Sequence, residues 1–189
     1  MTVVTAIPQP VPNDETQSQW IVNGSTKGKV LNAPGYPARV PTPRRPDLYQ
    51  VRSTPDMGVG LFAKRNIKRG DLIVAERPLL VAPHAMKLSS SVVLDHYTEH
   101  QIRQIMMREF ETVLESTVAR LSNEQQADFK ALQNSHTGDG SGPLLGITRT
   151  NRYGISNLYD GSDKVAKYGA VCNIGSRINH RCVPFTLSF

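Results

Sequence analysis

Between residues 102 and 121, Ile102, Ile105, Met106, Phe110, Val113, Leu114, Val118 and Leu121 recur at the three-and-four spacing of one helix face. Arg103, Arg108, Glu109, Glu111 and Glu115 fall among the positions between them. A stripe of this kind must be covered by other apolar surface, and the chain on either side of it has the short, turn-punctuated pattern of strands. The combination predicts an α+β fold in which a helical segment interrupts β structure. Ser122 and Gln125 form a capping-box pair for a second helix from about Asn123 to Gln133, carrying Ala127, Phe129 and Leu132. The run from His136 to Pro143, with three glycines, ends it. Residues 88–140 therefore read as an acidic helical insertion within one domain.

Before the insertion, Leu48 to Thr54 and Val59 to Ala63 read as strands around a turn at Pro55-Asp56-Met57-Gly58. Lys68-Arg69-Gly70-Asp71 reads as a second turn, because Gly70 tolerates positive φ and Asp71 can bond nearby backbone. That turn explains the adhesion-like tripeptide Arg69-Gly70-Asp71. Leu72 to Ala75 and Leu79 to Val81 supply further strand material around Pro78. After the insertion, Leu144 to Thr150 reads as a strand and Asn151-Arg152-Tyr153-Gly154 as an irregular or turning stretch. Tyr159 to Asp163 is a polar loop, and Tyr168 to Cys172 is a short apolar run.

Residues 1–46 hold eight of the thirteen prolines. Proline fixes its own φ and lacks a backbone donor, so this segment is expected to be a disordered or extended N-terminal tail, leaving 47–189 as the domain. Arg44-Arg45, flanked by Pro43 and Pro46, is too short a basic run to define a nuclear-import signal. The net charge of +6 divides as +3 over 1–46, +2 over 47–81, −3 over 82–140 and +4 over 141–189. These charges are scattered and few aromatics accompany them, which argues against direct nucleic-acid binding. No apolar run approaches the roughly 18 residues of a membrane span, and no secretory signal opens the chain. With only Cys172 and Cys182, a disulfide framework is excluded, and the expected setting is intracellular, nuclear or cytoplasmic.

The chemically most specific stretch is Ser176-Arg177-Ile178-Asn179-His180-Arg181-Cys182-Val183-Pro184. It resembles the Asn-His-Ser-Cys-x-Pro-Asn signature of SET-domain proteins, with Arg181 in place of Ser and Phe185 in place of the final Asn. Gly58-Val59-Gly60-Leu61-Phe62-Ala63, Asn66 to Ile73 and Glu76-Arg77-Pro78-Leu79 resemble the opening of that domain. Arg149-Thr150-Asn151 with Tyr153 resembles a middle segment. The ordered blocks cover most of residues 48–184. The helical insertion is similar to that of the SET-and-MYND branch, without the zinc-binding MYND module.

The resemblance implies a SET-type, β-clip-like fold of short strands with a helical insertion, its C-terminal part missing from the chain. It implies S-adenosyl-L-methionine as cofactor and methyl transfer to an accessible lysine of a protein substrate, histone or non-histone. Gly58, Val59 and Gly60 match positions at the cofactor's amino-acid end. Asn151 matches a polar cofactor contact, and Ser176, Ile178, Asn179 and His180 match the segment beside its adenosine and amino-acid groups. The family's channel tyrosine lies beyond the signature and has no counterpart after Pro184, so no catalytic residue is assigned. The alternative is a catalytically inactive SET fragment or a protein-interaction module. Substrate identity, methylation number and oligomeric state are left open.

Other candidates have simpler explanations. His180, Cys182 and Cys172 do not match a four-ligand zinc pattern, so no metal is assigned. No partner base accompanies Cys182, which argues against a nucleophilic cysteine. Tyr153 and Tyr168 are better explained as half-buried strand tyrosines than as active-site hydroxyls.

Overall fold

The computed structural model describes residues 2–8, 17–45, 47–56, 58–86, 96–155, 158 and 168–179. The chain is an α+β protein. Its main sheet has the order β1-β2-β5-β7-β6. Strand β1 (Thr2–Ile7) runs antiparallel to β2 (Ser18–Asn23), from Thr2 opposite Asn23 to Ile7 opposite Ser18. Strand β2 lies parallel to β5 (Leu80–Pro83), which pairs antiparallel with β7 (Tyr168–Val171). Strand β6 (Arg152–Ile155) closes the far edge. A separate antiparallel hairpin joins β3 (Tyr49–Thr54) to β4 (Gly58–Ala63).

The first 46 residues, expected to be a disordered or extended tail, thus include two strands of this sheet and a helix. Their prolines cluster at 8–12 and 34–46, and the stretches 2–7 and 18–31 contain none. Proline blocks only the segments in which it stands, so two strands and helix α1 (Gly24–Leu31) form between the clusters. The helix begins where Asn23 Oδ1 accepts the Thr26 N–H at 2.7 Å.

Alternation along the central strands divides the interior. Ile21, Leu80, Ala82 and Val171 face one layer, and Val22, Val81 and Tyr168 face the other. The first layer is closed by α2 (Glu99–Val118), α3 (Asn123–Lys130) and α4 (Pro143–Asn151), through Phe110, Leu114, Val118, Phe129, Leu145 and Ile147. Each such side chain, fully buried, contributes about 1.5–3 kcal/mol of transfer free energy. The predicted stripe on α2 is correct in register, although its centre lies at Met107, Phe110, Leu114 and Val118, with Met106 only partly covered. On the opposite layer the Tyr168 hydroxyl donates to Thr26 Oγ1 at 3.3 Å, so this tyrosine anchors α1 to the sheet.

Helices α2 and α3 both start by local sequence rules. Thr98 with Gln101 and Ser122 with Gln125 each form a reciprocal capping box at the start of α2 and α3. The Lys68–Asp71 turn is present as expected, with Gly70 at φ 85° and Asp71 Oδ2 accepting the Lys68 N–H at 2.8 Å. That bond, assisted by Arg45, holds the Asp71 carboxyl below the usual carboxylate range. Residues 72–75 form no strand, and β5 begins only at Leu80. The turn residue Met57 and the loop 159–163 lie outside the described residues.

Two elements reverse their expected character. Leu144 to Thr150 is helical, and Arg152 to Ile155 is a strand. Pro143 sits in the first turn of α4, where its missing N–H costs nothing. The next two donors are satisfied from another helix: Glu111 of α2 accepts the Leu144 N–H at 2.9 Å and the Leu145 N–H at 2.7 Å. Gly142, the N-cap, provides no side-chain bond of its own and has no room for one, since a Cβ there would collide with the Glu111 side chain. Nearby, Asp139 gathers His136 Nδ1, Arg149 Nη1 and the Ser141 N–H, which closes the loop between α3 and α4. Hydrogen bonds from Ser141, then those from Arg149 and His136, hold the Asp139 carboxyl well below its ordinary value.

Because the Glu111 carboxylate is the buried cap of α4, Glu111→Ala is expected to cost about 2 kcal/mol. Urea denaturation of the two proteins measures this directly. A midpoint within error of wild type would show that α4 does not need the cap.

Candidate functional site

The site residues expected from sequence lie on three elements. Gly58, Val59 and Gly60 open β4, Asn151 ends α4, and Ser176, Ile178 and Asn179 lie in and just after a 3-10 turn at Gly175–Arg177. His180, Arg181, Cys182 and Pro184 lie outside the described residues.

The structure brings several of these into one neighbourhood. A Cβ on Gly60 would stand 3.0 Å from Asn179 Nδ2 and 3.3 Å from the Phe62 ring, so the glycine permits a close approach of the signature segment to β4. Gly58 has φ 66° at the hairpin turn and lies near the Gln133 side chain. The Gln133 carbonyl in turn accepts a hydrogen bond from Asn151 Nδ2 at 2.7 Å. Ser176 Oγ donates to the Asn151 carbonyl at 3.1 Å and accepts the Cys172 N–H at 3.1 Å. Gly60, Asn151, Ser176 and Asn179 thus form a connected set across 119 positions of sequence.

Two others are not brought into that set. Val59 is exposed on the hairpin, and Ile178 is 53% exposed. Ile178 instead borders an apolar groove of about 450 Å³ with Tyr49, Leu61, Phe62, Leu72 and Val74. Asn151 is close to the segment but its amide is already engaged. Both amide hydrogens are spent on backbone carbonyls, those of Gln133 and Ile147, each at 2.7 Å. Its side chain closes the end of α4, while its main-chain carbonyl receives Ser176.

The group that sequence reading left without a role is Glu76. One carboxylate oxygen accepts the N–H groups of Asn173 and Ile174 at 3.1 Å each, and the other accepts the Gly175 N–H at 2.5 Å. Three consecutive donors converging on one carboxylate form an anion-binding nest whose occupant comes from the same chain. Nearly a hundred residues separate the partners, so no local pattern could have shown it. Asn173 is also fixed by Asp128 at 2.6 Å, and the Tyr153 hydroxyl donates to the Gly175 carbonyl at 2.6 Å.

Electrostatics around this segment disfavour covalent chemistry. Burial, reinforced by the Glu76 charge, pushes the Cys172 thiol up to about 12. Burial also raises the Tyr153 hydroxyl, with Cys172 and Glu76 adding to the effect. Neither group is ionised near neutral pH. Among the described residues, no three His, Cys, Asp or Glu side chains are grouped to hold a metal ion. Beside β4, the exposed Asn179 amide carries both a donor and an acceptor.

No protein-family description, curated protein or solved structure matches the chain. Among the described residues no helix is long and apolar enough to cross a membrane.

The close approach at Gly60 predicts that Gly60→Val, which drives methyl groups into Asn179 and Phe62, destabilises the protein by about 1–3 kcal/mol. A thermal-denaturation midpoint equal to that of wild type would show the two segments are not packed together. In a Cys182→Ser background, Cys172 is expected to react with iodoacetamide at pH 8.5 at least tenfold more slowly than a free cysteine, because its thiolate is suppressed in the folded state. Equal rates would mean that the thiol is not raised.

Proposed function

We propose that this chain is a SET-type domain whose cleft between β4 and residues 173–179 binds S-adenosyl-L-methionine for methyl transfer to protein lysine. The observation that carries the reading is the meeting of Gly60 with Asn179. The glycine-rich opening and the signature resemble that family independently in the sequence, and they approach each other in space so closely that a Cβ on Gly60 would stand 3.0 Å from Asn179 Nδ2. The seating of Ser176 on Asn151 adds the third block of the resemblance to the same neighbourhood.

The cofactor carries an amine, a carboxylate, a ribose and an adenine, and asks for donors and acceptors within a partly apolar cleft. Asn179 supplies an amide, and the groove beside Ile178 supplies apolar surface from Leu61, Phe62 and Leu72. When bound, the cofactor presents a sulfonium methyl group to a neutral amine. The protein's contribution is then alignment of donor and acceptor, which is catalysis by positioning. The high values of Cys172 and Tyr153 agree with a site that needs no ionised nucleophile of its own.

A second reading, a non-catalytic interaction module of the same ancestry, is favoured by Asn151. The resemblance gives that residue a polar contact with the cofactor, yet its amide hydrogens are committed to two main-chain carbonyls. Only the side-chain oxygen is left for a ligand.

Isothermal titration of the full chain with S-adenosyl-L-methionine separates the readings at the first step. Saturable binding in the micromolar range, weakened at least tenfold by Asn179→Ala, is the expected result. Absence of saturable heat at millimolar cofactor would sink the cofactor reading and leave the interaction module. Radiolabel transfer from the cofactor to lysine-rich protein substrates then tests catalysis.

A further inference from the structure

We infer that Glu76 is the positioning residue of this cleft: it acts through residues 173–175 to hold Asn179 against Gly60, and does not itself touch a ligand. The inference rests on the cofactor reading for what the cleft holds, but its structural half stands on geometry alone.

Both Glu76 carboxylate oxygens accept main-chain donors of residues 173–175 at 2.5–3.1 Å. The segment they hold has no strand partner between Cys172 and Asn179; it leaves β7 at Val171 and makes a single 3-10 turn. Its other hydrogen bonds act on the side chains of Asn173, Ser176 and Arg177, on the N–H groups of Cys172, Arg177 and Ile178, and on the carbonyls of Ile174 and Gly175. Among the described residues, the N–H groups of 173, 174 and 175 are satisfied by Glu76. Donors gathered in this way in a half-covered turn would repel one another and seek other acceptors if the carboxylate were lost. Asn179 is four residues beyond Gly175, with the turn between them. A small rotation of that turn therefore displaces Asn179 from Gly60.

Glutamine in place of glutamate makes a sharp test. It has nearly the same shape, but one of its two polar termini is an amide nitrogen that donates and cannot accept from a main-chain N–H. At least one of the three bonds must fail, whichever way the amide turns. Ile21→Val serves as the comparison, since Ile21 is a fully buried sheet residue whose truncation loosens the core without touching residues 172–179.

On the full-length protein, amide hydrogen exchange resolved by NMR is expected to accelerate at least tenfold at residues 173–175 in Glu76→Gln, with Leu114 on α2 unchanged. In Ile21→Val these amides follow the global change only. The affinity for S-adenosyl-L-methionine is expected to fall about tenfold in Glu76→Gln and to stay within twofold in Ile21→Val, measured well below both melting temperatures. If wild type binds no cofactor, the cofactor reading fails, and exchange alone decides the anchoring: acceleration supports it and unchanged exchange overturns it. If wild type binds and Glu76→Gln binds equally well, Glu76 is not a positioning residue.

Discussion

Everything in this fold depends on finding partners for the backbone of one four-residue strand. Leu80, Val81 and Ala82 are at most 1% exposed, so their peptide groups cannot turn to water. On one side they are paired by β2, which comes from the first 23 residues, and on the other by β7, which comes from beyond residue 168. The Leu79 N–H extends the second pairing by donating to Val171 at 2.8 Å, and the Gln19 N–H extends the first by donating to Leu79 at 3.0 Å. The ends of the chain meet on the middle of it. The helices then need only cover the apolar face that these pairings present.

The same accounting of backbone donors explains the two most informative carboxylates. Glu111 and Glu76 both reach across the structure to main-chain N–H groups that have no partner within their own element, one at the start of α4 and one at the turn after β7. In each case a neighbouring glycine, Gly142 or Gly175, leaves room for the approaching carboxylate; a Cβ on Gly175 would stand 3.2 Å from Glu76 Oε1. A helix N-terminus and a nest of N–H groups are both sites of partial positive charge. Here the protein fills them with its own anions, and by doing so fixes the two elements that converge on Asn151 and Ser176.

Legibility in the sequence follows the range of the interaction. The capping box at Ser122, the stripe on α2, the Lys68–Asp71 turn and the β3–β4 hairpin are set by residues within a few positions of one another, and all are readable. The helix at 143–151 was not readable as a helix because its cap is Glu111, which is thirty-three residues upstream of Leu144. Strands β1 and β2 were hidden by a proline count taken over too long a window. Of the candidate site, Gly60, Asn179 and Ser176 stand out in the sequence through their resemblance to a motif, whereas the three main-chain partners of Glu76 lie nearly a hundred residues away from it. The resemblance gives Asn151 a ligand contact, while in the structure its amide donates to the Gln133 and Ile147 carbonyls.

The placement of β2 has a practical side. A fragment trimmed to begin near Leu48, the natural choice if the proline-rich start is taken for a leader, would strip β1 and β2 from the sheet and leave β5 as an unprotected edge. Leu80 and Val81 would then offer unpaired peptide groups beside bare apolar side chains, the combination that recruits other chains into strand pairing. Poor recovery of such a fragment would report the missing strands and nothing about the domain's activity.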